Sequence, residues 1–290
     1  MAKVAFIGLG VMGYPMAGHI AKNGHDITVF NRTIEKAKKW VEEYEGQLAD
    51  TPCKAVKNAD FVFSCLGNDS DLRSIVYGED GILANMPNSG IFCDHTTASA
   101  NVAREINDKA SARGIGFLDG PVSGGQSGAE NGKLTVMVGG KDSHFDQVKP
   151  IILNYSKAVT LMGQVGSGQL TKMANQICIA GLLQGLSEGI AFSEKANLDT
   201  KLVLEVISKG AAQSWQMENR GTTMVDGQFD FGFAVKWMRK DLNIALEESK
   251  NNGAVLPVTA LVDQFYAEVI ALGGGQWDTS SLIRRLLFKS

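Results

Sequence analysis

The chain has 290 residues, 44% hydrophobic and 20% charged, with a formal net charge of −3. That is the composition of a globular protein of about two domains, and the weak negative charge excludes a general basic field for nucleic acid. Four cysteines (Cys53, Cys65, Cys93, Cys178) form no CxxC pair, and His19, His25, His95 and His144 are scattered, which argues against a disulfide framework or a metal site.

The N-terminus runs directly into an apolar stretch, which predicts a cytoplasmic protein without a leader. "KVAFIG" (3–8), "DITVFN" (26–31), "DFVFSCL" (60–66) and "GIFCD" (90–94) are short runs rich in Val, Ile and Phe. Amphipathic stretches long enough for helices separate them, so the alternation predicts βαβ units and a parallel sheet. "IGFLDG" (115–120), "LTVMVGG" (134–140) and "AVTLMG" (158–163) continue the strands. After Gly168 the period changes. Residues 169–195 carry helical spacing with no turn signal, a helix of roughly 40 Å at ~1.5 Å per residue. Further helices are expected over 200–209, 214–224, 233–252, 257–272 and 279–287. The predicted fold class is α/β: a Rossmann-type dinucleotide-binding domain over 1–163 and an all-α C-terminal domain over 164–290, joined by a long helix. The most apolar stretch, 177–192, is interrupted by Gln184, Ser187 and Glu188 and is too short to span a bilayer.

"GLGVMG" (8–13) follows the first strand and opens a helix. Gly8, Gly10 and Gly13 form GxGxxG, with Leu9, Val11 and Met12 between them. The first glycine permits the tight turn, the second lets a pyrophosphate approach the backbone, and the third allows close helix–strand packing. At the end of the second strand an NAD site places an acid on the ribose 2′-hydroxyl. Here the residues are Asn31, Arg32 and Thr33, and Asp26 lies at the wrong end. A charge-assisted hydrogen bond from Arg32 to a 2′-phosphate contributes roughly 1.5–3 kcal/mol, about ten- to a hundredfold in preference. NADP(H) is therefore the expected cofactor. If Arg32 instead only stacks on adenine, NAD(H) serves as well.

A second glycine-lined segment, Ser123, Gly124 and Gly125, lies between two apolar runs, where backbone without side chains can approach a small ligand closely. In "GQVGSGQLTKMANQ" (163–176), Lys172, Asn175 and Gln176 stand at i, i+3 and i+4 and share one helix face. A lysine and an amide presented together suit proton transfer and substrate orientation; the alternative is an exposed lysine near a helix start. Asp119 is either catalytic or a strand-end turn residue.

Four motifs in order, "GLGVMG" (8–13), "DGPVSGG" (119–125), "GSGQLTKMANQ" (166–176) and "KDL" (240–242) after "DFGF" (230–233), resemble those of the β-hydroxyacid dehydrogenases. That family includes 3-hydroxyisobutyrate dehydrogenase and tartronate semialdehyde reductase, and the resemblance covers essentially the whole chain. It implies that Ser123, Gly124 and Gly125 hold the substrate carboxylate, that Lys172 is the catalytic acid and base, and that Asn175 orients the substrate. It places Lys240 against the cofactor with Phe233 near it, makes Leu66, Gly67 and Asp71 a cofactor-lining loop, and puts Thr97 near both nicotinamide and substrate. Gly67 stands where the family often has proline. Gln176 stands where many 3-hydroxyisobutyrate enzymes have a second asparagine, and the Asn–Gln form also occurs in tartronate semialdehyde reductases. The stretch "WQMENRG" (215–221) is expected to line the substrate pocket. Imine reductases share the architecture but carry Asp or Tyr at the lysine position, and a non-catalytic nucleotide-binding relative lacks the lysine; Lys172 argues against both. Reversible hydride transfer on a small β-hydroxy acid is the implied reaction, most simply 3-hydroxyisobutyrate, with tartronate semialdehyde as the alternative.

Gly181, Gly185 and Gly189 recur every four residues along the long helix. Each costs roughly 0.8–1.0 kcal/mol against alanine in a helix interior. A close neighbour explains the stripe, either another helix of the same chain or a second subunit. The resemblance implies a homodimer or homotetramer.

Overall fold

The computed structural model describes residues 1–287. The first compact unit ends at Lys172 and the second begins at Met173. In chain order the strands are β1 (Lys3–Ile7), β2 (Asp26–Phe30), β3 (Gln47–Leu48), β4 (Phe61–Ser64), β5 (Ile91–Asp94), β6 (Gly116–Asp119), β7 (Val122–Ser123), β8 (Leu134–Gly140) and β9 (Ser156–Gly163). The first-unit helices are α1 (Gly13–Lys22), α2 (Ile34–Glu43), α3 (Pro52–Val56), α4 (Asp69–Val76), α5 (Ile82–Asn85), α6 (Ala100–Ser111), α7 (Gly125–Glu130) and α8 (Asp142–Ile152). The unit boundary falls inside α9 (Ser167–Lys195).

One sheet holds all nine strands, in the order β3-β2-β1-β4-β5-β6-β8-β7, with β9 also on β8. From β3 to β6 every pair is parallel. The chain reverses its direction of travel across the sheet between β1 and β4, and ligands of such folds bind outside the carboxyl ends of the strands at that switch. The strands read as near-continuous apolar runs because both faces are covered. Along β1, Val4 and Phe6 enter one core with Trp40, Val29 and Tyr155, while Ala5 and Ile7 enter a second core with Val62, Phe92 and Phe117.

Two strands were not anticipated. β3 and β7 are two residues each, too short for a periodic signal. The second matters: Ser123, expected in a loop, is the last residue of β7 and pairs antiparallel with Thr135 of β8.

The second unit is helical: the rest of α9, then α10 (Thr200–Ile207), α11 (Trp215–Val225), α12 (Val235–Asn252), α13 (Pro257–Ala271) and α14 (Arg284–Leu287). Asp199 and Ser214 cap α10 and α11 by accepting from Leu202 and Met217 N–H. The helix expected over 279–287 begins instead as a 3-10 segment, Thr279–Ile283, with Asp278 accepting from Ser280 N–H at its start. Its core gathers Ala180, Leu183, Met238, Leu242, Val262 and Tyr266. Among the described residues no other helix packs closely against Gly185 or Gly189, while Val258 of α13 approaches Gly181. A Cβ at Gly185 or Gly189 would meet nothing within 4 Å, and at Gly181 only Val258 Cγ1, at 3.8 Å. The three glycines line an apolar groove of about 440 Å³ with Leu204, Ile207 and Met217.

Candidate active site

The first glycine loop leaves β1 beside the sheet's switch point. Gly8 sits at φ +98, where a Cβ would also meet Cys65 O at 2.5 Å; a Cβ on Gly13 would collide with Gly8 O. Only glycine fits at either position. A Cβ on Gly10 would meet nothing within 4 Å, so the backbone there faces open space. The loop feeds the N-terminus of α1, where Met12 makes no side-chain cap bond. A helix N-terminus beside bare backbone with open space at Gly10 is what a pyrophosphate needs, so these residues fit a dinucleotide. Val11 is exposed and Leu9 buried beneath the turn.

Asn31 joins this loop to the end of β2. Its Oδ1 accepts from Leu9 N–H at 2.8 Å and its Nδ2 donates to Thr33 O at 2.9 Å. Asn31 thus shapes the loop. Arg32 next to it is exposed, and its guanidinium rests 3.5 Å from Asp71. A surface contact that long contributes little, so Arg32 can turn to a phosphate at small cost.

The loop after β4 is held by a buried network that the sequence did not disclose. Asp94, at the end of β5, accepts from Ser64 Oγ at 2.5 Å and Thr96 Oγ1 at 2.7 Å, and Thr96 Oγ1 in turn accepts from Leu66 N–H at 2.9 Å. Leu66 is held through these bonds, and Gly67 follows it in the chain. Burial pushes the Asp94 carboxyl up to about 7, against the lowering effect of its hydrogen bonds. Its neighbour His95 is also buried. Burial lowers it to about 4, so it is neutral; Nδ1–H donates to Gly120 O at 2.5 Å and Nε2 accepts from Tyr155 OH at 2.8 Å. His95 therefore anchors the start of the segment that ends in Ser123.

Beyond it, Gly124 at φ +131 and Gly125 at φ +61 turn the chain into α7. A Cβ on Gly124 would press on Leu134 at 3.1 Å, so both conformation and space demand glycine there. Asp119 is neither a plain turn residue nor an exposed acid. It is buried at the end of β6 and accepts from Gly166 N–H at 2.7 Å and Gln169 N–H at 2.9 Å, capping α9. Burial raises its carboxyl to about 6, opposed by these backbone bonds. Gln169, 1% exposed, also donates from Nε2 to Thr96 O at 2.7 Å and accepts at Oε1 from Ala98 N–H at 3.0 Å. Those two bonds bracket Thr97, which is half-buried. Lys172, one turn further along α9, is buried, not exposed at a helix start.

In the second unit, Asn175 Nδ2 donates to Gln176 Oε1 at 2.8 Å, and Gln176 Nε2 donates to the buried Asp241 at 2.6 Å. Lys240 Nζ lies 3.1 Å from the other Asp241 oxygen, an ion pair not aligned as a hydrogen bond. Phe233 is half-buried, with its N–H on Asp278 Oδ2 at 2.9 Å. From "WQMENRG", the Arg220 guanidinium lies between the Trp215 and Phe231 rings, 4.9 Å from each centroid. Asp241 was legible only as the acid of "KDL". No group of His, Cys, Asp and Glu among the described residues is arranged to hold a metal ion.

A parallel sheet of this order, with a glycine loop at its switch point, a buried lysine on the following helix and a helical second unit, defines a nicotinamide-dinucleotide oxidoreductase. Residues 3–163 match the family model described as the NAD-binding domain of 6-phosphogluconate dehydrogenase, and residues 166–286 match that described as NAD-binding of NADP-dependent 3-hydroxyisobutyrate dehydrogenase. An uncharacterized oxidoreductase of Shewanella frigidimarina is 64% identical over 99% of this chain and 98% of its own. The Arabidopsis thaliana protein named probable 3-hydroxyisobutyrate dehydrogenase-like 1, mitochondrial, is 40% identical over 98% and 85%. The 3-hydroxyisobutyrate dehydrogenase of Mycobacterium tuberculosis, solved with L-serine, superposes with a TM-score of 0.90 at 28% identity, covering 99% of this chain and 100% of that one. The chain belongs to the β-hydroxyacid dehydrogenase family of NAD(P)-dependent oxidoreductases, which act on hydroxyl donors.

The buried acids carry a pH dependence. Because Asp94 titrates near 7 when folded, the folded protein holds a proton between about pH 4 and 7 that the unfolded chain has lost. Stability from this group therefore falls as pH rises through that window. Asp94→Asn keeps an oxygen to accept from Ser64 and Thr96 and removes the charge. Urea unfolding is expected to show the variant gaining on the wild type from pH 5 to pH 8, by roughly 1–3 kcal/mol; an equal difference at both pH values would place the titration elsewhere.

Proposed function

We propose that this protein is an NADP(H)-preferring dehydrogenase of small β-hydroxy acids, with 3-hydroxyisobutyrate as the first substrate. The observation that carries the reading is Lys172. It is buried on a helix whose N-terminus Asp119 caps, one turn from the side chain that brackets Thr97. Residues 1–163 bind the dinucleotide, and 164–290 supply further substrate contacts and the oligomer interface. Gly8 to Gly13 receive the pyrophosphate, with Leu9, Val11 and Met12 in the same loop. Asn31, Arg32 and Thr33 face the adenosine ribose and its 2′-phosphate. Leu66, Gly67, Asp71, Thr97, Phe233 and Lys240 line the rest.

Oxidation removes a hydride and a proton from the β-carbinol. The nicotinamide, when bound, supplies acceptance and return of the hydride. Lys172 Nζ takes the hydroxyl proton and gives it back in reduction. Ser123 Oγ and the Gly124–Gly125 backbone N–H groups hold the carboxylate, and Asn175 and Thr97 orient the hydroxyl. These contacts act mainly by fixing the geometry of the reacting carbon. L-Serine, present with the mycobacterial relative, has the same carboxylate and β-hydroxyl and belongs among the substrates to test. A second reading, reduction of tartronate semialdehyde, is favoured by Gln176, which takes the place of a second asparagine and is committed to Asp241. The partners are small carboxylates and further copies of this chain, not nucleic acid or membrane. No helix among the described residues is long and apolar enough to cross a membrane. The open groove along Gly181, Gly185 and Gly189 supports assembly through the helical unit as a homodimer or homotetramer.

Lys172→Ala is expected to lower kcat on the best substrate of a panel of 3-hydroxyisobutyrate, tartronate semialdehyde, serine and succinic semialdehyde by ~10²–10⁴-fold. NADPH affinity, read by fluorescence titration, should hold; a variant retaining more than about a tenth of wild-type kcat refutes the assignment. Arg32→Asp should move the NADP/NAD ratio of kcat/KM toward NAD by about ten- to a hundredfold, and an unchanged ratio means Arg32 does not read the phosphate. Gly185→Leu should leave circular dichroism unchanged, since a Cβ there meets nothing within 4 Å and the side chain extends into an open groove, while light scattering shows a smaller assembly. A variant of wild-type mass, or a monomeric wild type at micromolar concentration, counts against the interface.

A further inference from the structure

Gln169 stands between two residues assigned to the substrate without itself being one of them. Its side-chain amide is 1% exposed and donates to Thr96 O while accepting from Ala98 N–H. One amide thus pairs with the backbone on both sides of Thr97 as a neighbouring strand would, using a donor and an acceptor in fixed geometry. Its own N–H goes to Asp119 at 2.9 Å. Asp119 ends β6, and from there four residues lead to Ser123. Lys172 follows three positions later on the same helix. A single residue therefore joins the segments that present Thr97, Ser123 and Lys172.

We propose that Gln169 is a positioning residue for the hydride-transfer reaction, setting Thr97 and Lys172 in register with one another through its paired backbone hydrogen bonds. The inference rests on the roles proposed for Lys172 and Thr97. The amide touches neither substrate nor cofactor; it acts through the Thr97 segment and through α9. Misplacing a reacting group by about an ångström costs up to ~10²-fold in rate, so the effect of losing this brace falls on kcat. Cofactor KM changes less than kcat, because the phosphate loop is held separately by Asn31 and only the Thr97 side of the cofactor site depends on this amide.

The choice of amide offers a test that simple destabilisation would not pass. A protonated glutamic acid at this position has the same shape, with an O–H to give Thr96 O and a carbonyl to receive Ala98 N–H. An ionised glutamate has no donor and opposes the Thr96 carbonyl. Burial favours the protonated form and raises the pKa of such a glutamate. Asp119 accepts the N–H of this residue, Asp94 accepts from Thr96, His95 precedes Thr96 in the chain and Lys172 follows three positions along the helix. Dividing by the wild-type kcat at each pH removes their ordinary titration, and the uncharged Gln169→Met controls for loss of the brace without a new charge.

Gln169→Met and Gln169→Glu are measured beside the wild type and Lys172→Ala, on the best substrate of the panel, from about pH 5.5 to pH 8.5. Gln169→Met is expected to lose roughly 10–100-fold in kcat, with a smaller change in NADPH KM. Gln169→Glu is expected to match that loss at high pH and to recover toward wild type as pH falls. Gln169→Met with kcat within about threefold of wild type overturns the proposal, as does a Gln169→Glu ratio constant with pH. If the methionine variant does not fold, the pH profile of the glutamate variant decides alone. An active Lys172→Ala would instead refute the reading of the site, and is distinguishable because it leaves the Gln169 ratios unaccounted for by proton transfer.

Discussion

The carboxylate of Asp119, buried at the carboxyl end of β6, accepts the N–H groups of Gly166 and Gln169 and so fixes where α9 begins. Helix starts carry unpaired N–H groups and a partial positive charge, and a carboxylate is the natural counterpart. Burial makes this cap expensive to ionise, yet it provides a hydrogen-bonded reference point at the edge of the parallel sheet. The axial position of Lys172 follows from it, because the helix is continuous from there. The Ser123 segment follows from it on the other side, through Gly120, Pro121 and the short pairing of β7 with β8.

Around that point, polar side chains hold the loops at the carboxyl ends of the strands by bonding backbone. Asn31 holds Leu9, Thr96 holds Leu66, His95 holds Gly120, and Gln169 holds both neighbours of Thr97. Each is a side chain behind a loop, satisfying backbone groups that burial would otherwise leave unpaired. Loops fixed in this way keep their shape before a ligand arrives, which lowers the ordering cost of binding. In the second unit the same economy operates with charge: Asp241 takes Gln176 on one oxygen and lies against Lys240 on the other.

The glycines divide into three physical kinds. Gly8, Gly13 and Gly124 are excluded from other residues by backbone conformation or by atoms already in the way. Gly10 faces open space, consistent with close approach of a ligand to bare backbone. Gly185 and Gly189 are open for a different reason, lining an apolar groove on the helical unit. Spacing alone left open whether another helix of the chain or a second subunit packs at the last two, and a Cβ at either meets no atom of this chain within 4 Å.

Local pattern was enough for the alternation of strands and helices, the GxGxxG turn, the neutral and basic end of β2, and the helix face that groups Lys172 with Asn175 and Gln176. These features depend on residues a few positions apart, where periodicity and backbone sterics act directly. The short strands β3 and β7 escaped because two residues carry no period, and the 3-10 start at Thr279 because its register is set by Asp278 and the packed core beneath it. The tertiary structure alone decided what Asp94, His95, Asp119, Gln169 and Asp241 do. Their decisive partners lie from 25 to 73 residues away in sequence. A hydrogen bond across such a distance leaves no mark on the spacing of its neighbours, so it becomes visible only when the sheet and helices bring the two ends together.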